Sequence, residues 1–232
     1  MSTDGHIRSK VDQLLLEIES DLITQTGYAE ISFSQLENAL GLGDFDVQAI
    51  EDLDFRNAQL SKEIFRKTVY FISKESPMAD DLRFLISSLK VSESYERIGK
   101  LTKNIANRLD LMAKLSNKNI SMHSLREMFR EAHSLVNGSK AAYFSRDIVL
   151  AKDIIEKDFF IDSMYHSIFR EYISYMLENP KNISNFVHLQ FIAKQIERIG
   201  DHSTTIAEQA IFWRNGDDLS SWSRSKLDYL DE

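Results

Sequence analysis

The chain has 232 residues, with 28 Lys and Arg against 36 Asp and Glu, a formal net charge of −8, 43% hydrophobic and 28% charged residues. Such a length allows one large domain or two small ones around a sizeable core, and the acidic balance argues against a general nucleic-acid binder. With no Cys, 8 Gly and 2 Pro, the composition excludes disulfides, Cys-zinc sites, iron–sulfur clusters and thiol catalysis, and is too poor in turn residues for an all-β sandwich or a Gly-rich nucleotide fold.

The opening segment MSTDGHIRSK lacks the apolar stretch of a signal peptide. No run reaches about 18 apolar residues, so no membrane span is expected, and a cytoplasmic protein is the default. Val11, Leu14, Leu15, Ile18 and Leu22 then fall at helical spacing, with Asp12, Glu17 and Glu19 between them. Gly41, Gly43 and Asp44 mark a turn. Ile64, Phe65, Thr68, Val69 and Ile72 form the next stripe, and Ser76-Pro77 closes it and opens another, because Pro suits a first helical turn. That third stripe holds Leu82, Leu85, Ile86 and Leu89. A junction is expected at Asn117–Asn119, followed by Leu125, Met128, Phe129, Leu135 and Val136. Asn137-Gly138 reads either as a break or as an interruption within a helical pair. Ile154, Ile155, Ile161, Ile168, Phe169, Tyr172 and Met176 make a fifth stripe, and Asn179-Pro180 repeats the logic of Ser76-Pro77. The last stripe runs from Phe186, Leu189, Ala193 and Ile196 through Gly200, Ser203 and Ala207 to Ala210, before a polar tail from Asn215 to Glu232.

An internal repeat organises these stripes. Glu96-Arg97-Ile98-Gly99 recurs as Glu197-Arg198-Ile199-Gly200, and Asn104-Ile105-Ala106 recurs as Thr205-Ile206-Ala207 at the same offset. Pro77 and Pro180 each precede the motif-bearing helix. The expected architecture is all-α: two pseudo-symmetric three-helix bundles, over 1–115 and 116–214, with 215–232 as tail and the join near 112–119. Short connections favour antiparallel neighbours.

Glu197 and Asp201 stand four apart on one predicted helix, and Asp158 and Asp162 show the same spacing on the helix before it. If those helices pack antiparallel, four carboxylates meet. Their mutual repulsion would be relieved by a hard cation, and oxygen-only donors suit Mg, Mn or Fe better than Zn or Cu. Glu197 also lies beside Ile196 and Ile199, near the buried edge of its stripe, where a carboxylate needs a partner. The alternative is two solvated acidic faces with no metal, since such pairs are common on exposed helices.

The segment FIAKQIERIGDHSTTIAEQAIFWRNGD, from Phe191 to Asp217, resembles the signature helix of the PhoU family of phosphate-transport regulators. IIEKDFFIDSMYHSIFREYISYMLENPKNI, from Ile155 to Ile183, resembles the preceding helix pair, and PMADDLRFLISSLKVSESYERIG the corresponding half-repeat. The likeness spans about residues 6–214. It implies six helices in two bundles, metal clusters bound through E(D)xxxD motifs on adjacent helices, and no enzymatic activity. It further implies a homodimer that contacts the ATPase subunit of the phosphate ABC transporter and a sensor histidine kinase, and that helps hold the starvation response off when phosphate is plentiful. Residue by residue, Glu197 and Asp201 match one metal motif, and Asp158 and Asp162 its partner.

The first half departs from that pattern. Glu96 is present, but Lys100 stands where the motif has Asp, and a Glu–Lys pair one turn apart would replace the metal. Asp54 is followed four residues later by Ala58, and an alternative register gives Leu53 and Asn57. A weak or lost first-half site (Glu96, Asp54) is expected beside an intact second-half site.

Other candidates are less specific. The six histidines, His6, His123, His133, His166, His188 and His202, form no HExxH pattern, and His202 reads as a surface residue or a supporting group next to Asp201. Ser203, Thr204 and Thr205 make no nucleophile elbow, and there is no P-loop. Asp80, Asp81 and Arg83 suit a helix N-terminus, with partner contact as the alternative. Phe212 and Trp213 read as a bundle cap or a partner anchor, and of Phe159 and Phe160 at least one is expected at the surface. The rival from another class is a carboxylate-bridged metalloenzyme. Di-iron bundles of that kind use Glu-x-x-His pairs, whereas Phe159 and Gly200 occupy the places three after Glu156 and Glu197.

Overall fold

A computed structural model describes residues 3–41, 44–114 and 122–216. The described residues form helices α1 (Thr3–Leu40), α2 (Val47–Glu75), α3 (Ala79–Lys114), α4 (His123–Ser145), α5 (Ile148–Glu178) and α6 (Ile183–Asn215), with a 3-10 turn over Pro180–Asn182 before α6. Local chemistry sets several of the ends. Asp46 accepts hydrogen bonds from the backbone N–H of Gln48 and Ala49 to cap α2, and Asp147 does the same for Val149 and Leu150 at the start of α5. These two caps are another pair related by the repeat offset. Ser76 and Arg146 close α2 and α4 in the left-handed conformation, at φ 46° and 54°. The proposed junction at Asn117–Asn119 and the tail beyond Gly216 lie outside the described residues.

Helices α1–α3 pack into one bundle and α4–α6 into the other, and α3 and α6 pack on each other as the central pair. These two run antiparallel. Arg83 Nε donates to the Trp213 carbonyl at 3.1 Å, Asn104 Nδ2 to Gln195 Oε1 at 3.4 Å, and Arg108 Nη1 meets His188 Nδ1 at 3.0 Å. The core is one continuous apolar layer through both bundles, from Ile18 and Leu22 on α1 to Ile206 and Ala210 on α6. Burial of so many whole aliphatic side chains, each contributing roughly 1.5–3 kcal/mol, is what holds long helices of modest individual propensity in place.

Two sequence readings are settled here. Asn137-Gly138 does not break a helix: α4 runs through it, and Gly138 is there for close packing, since a Cβ would stand 2.3 Å from Ile154 Cδ1. Trp213 is a cap and not a partner anchor, being only 4% exposed. Its ring packs on Phe84 and Tyr143 at 4.8 and 5.1 Å, with the Arg146 guanidinium 3.8 Å over it. Arg146 also pairs with Asp80 at 3.0 Å, and the Tyr143 hydroxyl bonds Ser87 and Ser88. Asp80 and Arg83 therefore serve a clamp that joins the start of α3 to the ends of α4 and α6, across the two bundles.

Candidate functional site

The repeated Glu-Arg-Ile-Gly motif lies in the middle of the two central helices, and each of its glycines receives a polar side chain from the neighbouring helix. On α6, a Cβ at Gly200 would lie 2.5 Å from Asp158 Oδ1. Only glycine leaves room for the α5 carboxylate against the α6 backbone. Asp158 is consequently fully buried, at 0% exposure. Asp162, one turn on, is half-buried, and Asp201 is exposed. The Glu197 side chain is 14% exposed, and its Oε1 pairs with Lys194 Nζ at 2.6 Å. Glu197 Oε2 is buried and accepts no hydrogen bond. The expected partner of Glu197 is thus a lysine on its own helix, and Lys194 also lies 5.1 Å from the centroid of the Tyr165 ring on α5.

In the first bundle the equivalent glycine shows which residues correspond. A Cβ at Gly99 would lie 2.4 Å from Asn57 Nδ2. The offset that relates Gly99 to Gly200 therefore relates Asn57 to Asp158 and Ser61 to Asp162. Asp54 and Ala58 are not the motif positions. The alternative register had Asn57 among its residues, but as the second member after Leu53; the structure makes it the first, with Ser61 following. Asn57 is 1% exposed and donates through Nδ2 to the Tyr95 carbonyl at 2.7 Å. Asp54 forms an ion pair with Lys103 of α3. The expected Glu96–Lys100 pair does not form among the described residues, and Lys100 is exposed. A neutral amide and an ion pair one turn away thus occupy the place where the second bundle has a buried carboxylate.

His202 is half-buried and not a simple surface residue. Burial, with the Arg198 and Arg97 guanidinium groups nearby, holds its imidazole below the usual histidine range. Those two arginines are the repeat-related pair, so α3 and α6 both contribute charge at this level. Phe159 and Phe160 are both exposed, at 40% and 56%. Sequence reasoning missed Lys103 and Lys194, the two cations that neutralise Asp54 and Glu197. Neither obeys the Glu-to-Lys spacing of four that flags helical ion pairs.

The carboxylates of α5 and α6 fit a hard cation in donor type, and Glu197 Oε2 is an acceptor left without a hydrogen bond. They do not form a closed cage: among the described residues, no three His, Asp or Glu side chains lie close enough together to hold one ion.

Comparison with known proteins places this architecture. The PhoU domain matches twice, over residues 27–109 and 125–210. The phosphate-specific transport system accessory protein PhoU homolog of Caulobacter vibrioides is 33% identical over 228 residues, covering 98% of this chain and 99% of the relative. The protein of the same description from Rhizobium meliloti is 34% identical over 213 residues, 91% of this chain and 90% of the relative. Among solved structures, PhoU from Pseudomonas aeruginosa superimposes with a TM-score of 0.83 at 27% identity, over 89% of this chain and 99% of that one. The Streptococcus pneumoniae phosphate transport system regulatory protein PhoU shares the fold, with a TM-score of 0.76 at 23% identity. Two matched domains, six helices in two related bundles and full-length relatives agree: the chain belongs to the PhoU family.

Proposed function

We propose that this protein is a non-enzymatic accessory regulator of a phosphate-specific transport system, working by protein contact. The observation that carries the reading is full-length similarity, at about a third identity, to proteins described as accessory to that system. On this reading the partners are the ATPase subunit of the transporter and a sensor histidine kinase, met on the cytoplasmic side, and contact restrains the starvation response when phosphate is plentiful. No helix among the described residues is long and apolar enough to cross a membrane, which agrees with docking through partners.

Deleting the coding sequence is expected to switch on a phosphate-starvation reporter in phosphate-rich medium, with reversal by a plasmid copy. The purified chain is expected to retain the ATPase subunit or the kinase's cytoplasmic portion in a pull-down. A silent reporter together with no retained partner would sink the reading.

Cation binding is a separable part of the proposal. Asp158, Asp162, Glu197 and Asp201 offer oxygen donors to a Mg, Mn or Fe ion, and because no three of them stand close enough together to hold it as they are, binding would draw these side chains together and tie α5 to α6. Glu96 and Asp54 would hold none, since Asn57, Ser61 and Lys100 stand where the second bundle has carboxylates and Lys103 pairs with Asp54. Elemental analysis after purification without chelator is expected to find metal that an Asp158→Ala, Asp201→Ala variant lacks, with a lower melting temperature in the variant. Equal metal content and equal melting would remove the ion and leave the adaptor reading intact.

A further inference from the structure

On the second bundle, Phe169 and Ile173 lie one turn apart on α5, at 43% and 41% exposure, and Val187 and Phe191 lie one turn apart on α6, at 53% and 36%. The contact between the Tyr172 and Phe186 rings, centroids 5.4 Å apart, sets the two pairs at the same level of the antiparallel α5–α6 hairpin. An apolar surface therefore runs across both helices at one end of the bundle. It is not demanded by the fold, as the first bundle shows. The positions related by the repeat offset are Thr68, Ile72, Ile86 and Lys90, of which Thr68 is buried, both isoleucines are half-buried, and the one exposed residue is a lysine.

The rim of this surface carries a charge opposite to that of the chain. The Arg108 guanidinium of α3 lies 4.1 Å over the Phe191 ring and is positioned by His188 Nδ1 at 3.0 Å. Arg108 forms no ion pair with a carboxylate among the described residues, and the exposed Arg170 stands directly beside Phe169 in sequence. An apolar centre with a cationic edge, on a protein of net charge −8, selects for an apolar ligand that brings its own carboxylates. Two parallel i, i+4 pairs are the spacing that receives a helix laid along the hairpin groove.

We propose that the Phe169–Ile173 and Val187–Phe191 face, edged by Arg108, docks an amphipathic helix of a partner protein whose apolar stripe is flanked by Asp or Glu. This rests on the adaptor reading above and specifies the surface through which it acts.

The test uses the full chain with purified transporter ATPase subunit and the cytoplasmic portion of the kinase as probes. Affinity is measured for the wild type, for Ile173→Ser with Val187→Ser, for Arg108→Glu, and for Phe65→Ser with Val69→Ser as an exposed apolar control on the first bundle. The expected result is at least a tenfold weaker Kd for one probe with both the Ile173→Ser, Val187→Ser variant and Arg108→Glu, since central apolar and Arg positions dominate such interfaces. The control should be unchanged and the circular dichroism melt of every variant close to wild type. Wild-type binding that all variants retain would overturn the docking surface and leave the adaptor reading standing. No wild-type binding to either probe would bring both down. Loss of a wild-type dimer in the Ile173→Ser, Val187→Ser variant and in Arg108→Glu, with probe binding retained, would make the face a self-interface and overturn the proposal.

Discussion

The two bundles share a backbone plan but differ at the point where their third helices receive a neighbour. Against Gly99 the first bundle sets a neutral amide, Asn57, whose Nδ2 donates to the Tyr95 carbonyl at 2.7 Å while its buried Oδ1 accepts no hydrogen bond. Against Gly200 the second sets the carboxylate of Asp158, fully buried. Moving an ion out of water is costly unless charge or hydrogen bonds compensate. The first bundle therefore places a neutral amide at this crossing, and the second an ionisable carboxylate. The two halves share the geometry, and differences at three positions, 57, 61 and 100, divide the chemistry.

The largest test of that contrast converts one bundle into the other. Asn57→Asp should destabilise the protein by about 3 kcal/mol, because it buries a charge and removes the donor to the Tyr95 carbonyl. A chemical denaturation midpoint equal to wild type would show that the two crossings are interchangeable.

Steric tests come next. Gly99→Ala and Gly200→Ala should each cost about 1–3 kcal/mol, because the new methyl would meet Asn57 or Asp158 at 2.4 or 2.5 Å. Similar losses at the two sites would confirm that close approach, and not the identity of the polar group, requires glycine.

The ion pair in the first bundle is partly exposed, with side chains 28% and 14% accessible for Lys103 and Asp54. Lys103→Ala should therefore cost only about 1 kcal/mol and lose its effect in high salt, while Lys100→Ala should leave the melting temperature unchanged.

The smallest expected effect is on pH. His202 and His188 are both held below the ordinary value of 6.5, each by burial first and by neighbouring arginine next. The unfolded chain then binds protons more readily than the folded one, so stability should decline as pH falls through about 6.5. His202→Gln should flatten that decline in melting temperature between pH 7.5 and pH 5.5, both about one unit either side. A slope unchanged by the substitution would remove His202 from the seam between the bundles.

The sequence by itself determined the all-α class, the six stripes, the duplication and the family likeness. These depend on periodicity and on a repeated motif, both carried by residues close in the chain. It also marked Asp158, Asp162, Glu197 and Asp201, because their spacing places each pair on one helix face. Only the tertiary structure decided which residues correspond across the repeat. The first-bundle register depends on Asn57 meeting Gly99 from another helix, a contact between residues 42 positions apart that no local pattern encodes. The same holds for Lys103 reaching Asp54, and for Arg146 covering Trp213 at the clamp between bundles. Helical spacing tells which side of a helix a residue occupies. What stands opposite that side, and so whether a charge is neutralised, buried or offered to a partner, is set by packing between helices distant in sequence.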